Sequence, residues 1–106
     1  MADDERITDL EELWEDDPED ALTGFLLGGE YARAGRPADA AGVLAHVVTL
    51  DPGYSAAWGA LAQAREDAGD RQGALHAWRK ASDCAREKGD HLVARAAAAG
   101  LERLGG

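Results

Sequence analysis

Asp17-Pro18 recurs as Asp51-Pro52, 34 residues further along the chain. At the same offset Leu27 aligns with Leu61, Ala34-Gly35 with Ala68-Gly69, and Ala40 with Ala74. A fixed period of this length marks stacked, self-similar units, each too small to bury its apolar face alone. The constraint is severe. Each unit must hold the same elements in the same order, and its core must lie between neighbours.

The elements read as helices. The apolar content is mostly Ala and Leu with few β-branched residues, which favours helices packed through small side chains. Ile7, Leu10, Leu13 and Trp14 share one face of a first helix over about 5–16, with acids on the other face. Asp17-Pro18 ends it, because the residue before proline is pushed out of the helical region. Helices follow over about 20–34, 37–49, 54–68, 71–87 and 91–104. Asp20, Asp70 and Asp90 stand where N-caps are needed, Gly35, Gly69 and Gly89 at the C-terminal stops, and Pro37 at a first helical position. The inward faces carry Leu22, Phe25, Leu26, Leu27 and Tyr31 in the second helix, and Ala74, Leu75, Trp78, Ala81 and Cys84 in the fifth. Leu92, Val93, Ala96, Ala97, Leu101 and Leu104 face inward from the sixth. Gly28-Gly29 lies inside the second helix, where each glycine costs about 0.5–1 kcal/mol relative to alanine; close approach of a neighbouring helix is the expected reason.

These residues resemble the tetratricopeptide repeat, a helix–turn–helix unit. Counted from Ala21, the resemblance rests on Leu27, Gly28, Tyr31, Gly35, Ala40, Leu44, Val47 and Pro52; counted from Ser55, on Trp58, Leu61, Ala62, Gly69, Ala74, Trp78 and Ala81. Gly24 departs from the aromatic usual at the fourth position, and Arg65 and Arg86 replace the usual Tyr and Pro. The departure at Arg86 implies that the fifth helix runs on. The resemblance implies an all-α fold, a right-handed α-solenoid of antiparallel helix pairs with about six helices. One domain, 1–106, is expected: an acidic capping helix (1–17), two repeats (18–52 and 53–88) and a C-terminal capping helix (89–106). Carrying the period back and forward makes the first helix a second-of-pair (B) helix without its A partner, and the sixth an A helix without its B partner. The first helix is expected to cap the second and to hide Leu22 and Leu26.

The net charge of −10 is concentrated. Residues 1–20 hold eleven acids against Arg6 alone, and the rest of the chain is balanced. That sign disfavours nucleic acid and anionic lipid. No run approaches the ~18–20 apolar residues of a membrane span, and the acidic N-terminus does not read as a secretory signal. A cytoplasmic location is the expectation.

No catalytic constellation is legible. His46, His76 and His91 have no His or Cys at metal-ligand spacing. Cys84 is the only cysteine; Arg86 and Lys88 nearby would lower its pKa, but free cysteine more often fills a buried position, the reading adopted. No enzyme, cofactor or metal is expected. In the family the working surface is the concave face of the A helices. The resemblance places there Leu22, Phe25, Gly29, Ala32 and Arg33, then Ala56, Gly59, Gln63, Glu66 and Asp67. Repeats that clamp C-terminal carboxylates of chaperones carry Lys and Asn at such positions; this chain has no Asn, and the face has no Lys. The expected function is a scaffold binding a protein or peptide in that groove. The alternative is an assembly domain pairing copies through the end faces, so monomer and homodimer both stay open.

Overall fold

The computed structural model describes the backbone of residues 2–106 and the side chains from Asp4 onward. Six helices follow one another: α1 (Ala2–Asp16), α2 (Ala21–Arg33), α3 (Pro37–Leu50), α4 (Ser55–Asp67), α5 (Arg71–Lys88) and α6 (His91–Arg103). No strand occurs among the described residues. None of the helices described is long and apolar enough to cross a membrane.

The turns are made as their residues dictate. The Asp20 carboxylate accepts from the Leu22 and Thr23 N–H groups, that of Asp70 from Gly73 N–H and that of Asp90 from Val93 N–H, each closing the open donors of a helix start. Gly35, Gly69 and Gly89 take positive φ of 75°, 85° and 70°. One turn then recurs. Arg36 N–H reaches the Tyr31 carbonyl at 2.9 Å, Asp70 that of Arg65 at 2.8 Å and Asp90 that of Ala85 at 2.9 Å, the six-to-one bond of a left-handed helix stop.

Each helix packs on the next, and α2, α4 and α6 also touch along the stack. This is an α-solenoid of antiparallel pairs. Its core runs between the helices: Leu27, Leu44, Val47 and Leu61 are the large side chains fully buried, among alanines such as Ala40, Ala57, Ala62 and Ala81. Trp78 is buried too, and Trp58 packs against the same cluster, half-exposed, edge-on to His76. The strict period fails once. α2 and α4 start 34 residues apart, at Ala21 and Ser55, but α6 starts at His91, 36 residues after Ser55. The cause is α5, 18 residues against the 14 of α3; it has Arg86 where a proline would have stopped it.

Several inward assignments are corrected. Leu13 (55% exposed), Leu22 (58%), Leu26 (47%) and Leu92 (79%) are on the surface, as is Ala96. Leu22 and Leu26 are therefore not hidden by α1. That helix lies along the other side of α2, where Ile7 is buried and Trp14 reaches Gly24. Phe25 packs against Tyr54, with ring centroids 5.0 Å apart. Gly28 has the neighbour expected of it, since a Cβ there would lie 2.6 Å from Leu44 Cγ; Gly29 does not, with nothing within 4 Å. Cys84 is half-buried, its thiol 3.4 Å from the Pro52 carbonyl. Burial pushes the thiol up, and Glu87 adds to the rise, the opposite of an activated cysteine.

Candidate interaction face

The A-type helices α2, α4 and α6 lie side by side, and counting from the first residue of each puts equivalent positions in rows. The second position holds Leu22, Ala56 and Leu92, the fifth Phe25, Gly59 and Arg95, and the ninth Gly29, Gln63 and Ala99. Large apolar side chains stand exposed at the two ends of the first row, with Ala56 between them. Leu92 and Arg95 were missed by sequence reasoning because a strict 34-residue step places Asp90 after Ala56. Arg86, at the position where helix five should have ended, was the available signal.

The other expected residues differ in how free they are. Ala32 and Arg33 are exposed, and the Arg33 guanidinium pairs with Glu30 at 3.1 Å. Gln63 donates to Asp67 Oδ1 at 3.0 Å. Gly59 lies close to α6, a Cβ there falling 3.7 Å from Val93 Cγ1. Glu66 is committed. Arg103 of α6 grips it with Nε at 2.6 Å and Nη2 at 2.9 Å, and the Trp78 indole N–H donates to it at 3.2 Å. The Arg103 bonds hold its carboxyl below the usual carboxylate range, with the Trp78 bond adding to the effect. Glu66 thus fastens α6 to α4 and is not a free acid of the face.

A second ionic cluster joins α1 to α2. Glu30 is buried, with Oε1 3.3 Å from Arg6 and 3.1 Å from Arg33. Arg6, the one base among residues 1–20, thus ties α1 to a buried carboxylate of α2 from a half-exposed position. Nearby, the Tyr31 hydroxyl donates to Glu11. Trp14 lies where a Cβ on Gly24 would come within 2.8 Å of its ring. Unit one thus takes from α1 the bulky ring that its own fourth residue lacks, and Trp58 supplies that ring in unit two.

His46 is placed structurally: its Nε2 is 3.1 Å from the Pro18 carbonyl, and its ring is edge-on to Trp14. Among the described residues no group of three His, Cys, Asp or Glu is arranged to hold a metal, and no enclosed pocket is formed.

No family model matches the sequence. The TPR repeat-containing protein PA0015 of Pseudomonas aeruginosa is 37% identical over 98 residues, covering 92% of this chain and 93% of that protein. Among solved structures, PcrH in complex with the chaperone binding region of PopD superposes with a TM-score of 0.90 at 21% identity, over 97% of this chain and 78% of that one. Protein BPP2914 of Bordetella parapertussis superposes with a TM-score of 0.77 at 31% identity, over 93% and 86% of the two chains.

Proposed function

The chain belongs to the tetratricopeptide repeat proteins, and from that premise we propose that it is an interaction scaffold taking a peptide or helix across α2, α4 and α6. The observation that carries the reading is the second-position row, with exposed Leu22 and Leu92 flanking Ala56. Leucines held in the open on a rigid helix surface are the anchors a partner's apolar side chains would cover. PcrH, with the same fold, is solved with a bound segment of another protein, which supports the use of such a scaffold for peptides.

The spacing sets the footprint. Neighbouring helix axes lie about 8–10 Å apart, so Leu22 and Leu92 are separated by about 16–20 Å, or five to six residues of an extended strand rising about 3.3 Å each. The partner expected is a segment with two apolar residues at that separation. Immobilised protein should capture such a partner from the native lysate, and the captured segment should then bind Leu22→Glu and Leu92→Glu at least tenfold more weakly. Both side chains are exposed, so melting temperatures should hold. A captured partner that binds both variants at full strength would place the site elsewhere.

A further inference from the structure

The two ends of the stack are complementary halves of one repeat. α1 occupies the place of a B helix, and α6 that of an A helix. Among the described residues nothing covers Leu13 of α1, which is 55% exposed. Nor does anything cover Ala98 on α6. The first repeat shows how such halves join. There Val47 reaches Gly24, the fourth residue of α2, and Leu44 seats on Gly28, the eighth. Thirty-four residues before Leu44 and Val47 stand Leu10 and Leu13, and the fourth and eighth residues of α6 are Ala94 and Ala98. The small–large pairing of the first repeat therefore recurs between the two ends of the molecule.

Charge points the same way. Residues 1–20 hold eleven acids against one base, whereas residues 71–106 hold seven Lys and Arg against four Asp and Glu. The acidic head of one copy is thus attracted by the basic tail of another, and head-to-head approach is opposed.

We infer that copies of this chain associate head to tail. α6 of one copy seats on α1 of the next, Leu13 meets the partner's Ala94, and Leu10 meets the partner's Ala98. The shared pair makes a third repeat from two chains, near the number a solenoid needs for stability. The contact is heterologous, so it propagates into a filament or closes as a ring. It uses Leu13 and Ala98, which the peptide reading does not, so either idea can fail without the other.

The test is sedimentation velocity on the full chain across concentration. Wild-type mass should rise with concentration and fall as salt goes from about 0.01 to 1 M, where the screening length shrinks from about 30 to about 3 Å. Leu13→Glu and Ala98→Glu should each remain the mass of one chain, with unchanged circular dichroism. Mixed, they should form a pair of twice that mass and nothing larger, because one variant keeps the tail and the other the head. A wild type that stays monomeric at every concentration overturns the inference. So does an association that Ala98→Glu leaves intact, or a mixture that shows no pair.

Discussion

Leu44 of α3 seats on Gly28 of α2: a Cβ at residue 28 would lie 2.6 Å from its Cγ, while one at Gly29, the next residue, would meet nothing within 4 Å. Leu44 is itself fully buried and has nowhere to retreat. Gly28→Ala is therefore expected to destabilise by about 1–3 kcal/mol, the range for overpacking a filled core. Gly29→Ala should stabilise by about 0.5–1 kcal/mol, since it removes a mid-helix glycine without a clash. Thermal melts of the two variants decide this, and shifts of the same sign would contradict the packing.

Trp78 is the largest side chain of the second repeat to be buried, at 3% exposure. It lies under α6, where a Cβ on Gly100 would fall 2.5 Å from its Nε1. Trp78→Ala should cost about 3–5 kcal/mol, a large share of the ~5–15 kcal/mol that holds a domain together. Denaturant titration should show the midpoint collapse. A loss under about 1 kcal/mol would mean that the ring is not a structural centre.

Much of this was legible because local chemistry and the period agree. Gly35 and Gly69 mark helix stops by backbone need, Asp20 and Asp70 mark starts by side-chain bonding, and none depends on distant residues. The leucines on the outer helices were harder. Periodicity reports that Leu13, Leu22 and Leu92 share helix faces with buried residues, but burial requires a neighbour. At the ends of a stack one neighbour is missing, so the same pattern that buries Val47 leaves Leu13 in the open. Glu66 shows the other limit. Its row position suggests a free acid, and only the two-residue shift of α6 brings Arg103 against it.

Acid should loosen α6 first. Glu66 is held low by Arg103 and then by Trp78; Asp90 is held low by Val93 N–H and then by the Ser55 hydroxyl. Both folded-state pKa values lie below the unfolded ones, about 4.3 for Glu and 3.9 for Asp. Their contribution is therefore fully present above those values and is lost as pH falls through the depressed ones. Stability measured by denaturant at stepped pH should decline below about pH 4.5. Glu66→Gln should start lower and decline less steeply. An identical slope in the variant would remove Glu66 from the account.

At the alkaline end the sign is carried by Tyr31. Burial first, and then the hydrogen bond and charge of Glu11, push its phenol up to about 12, against a smaller opposing pull from Arg36. The folded state keeps a proton that the unfolded chain releases near about 10, so stability should fall as pH rises from there toward 12. Tyr54, the other tyrosine, is also raised, by burial and then by Asp51. An ultraviolet titration of the folded protein should therefore show no full tyrosinate step near about pH 10. Glu11→Gln should bring Tyr31 part of the way back, because the burial contribution survives the substitution. It should also weaken the seat of α1 by about 1 kcal/mol, the scale of one hydrogen bond. If Tyr31 titrates in Glu11→Gln as it does in the wild type, the carboxylate is not its partner, and α1 is held on α2 by Ile7, Trp14 and Arg6 without it.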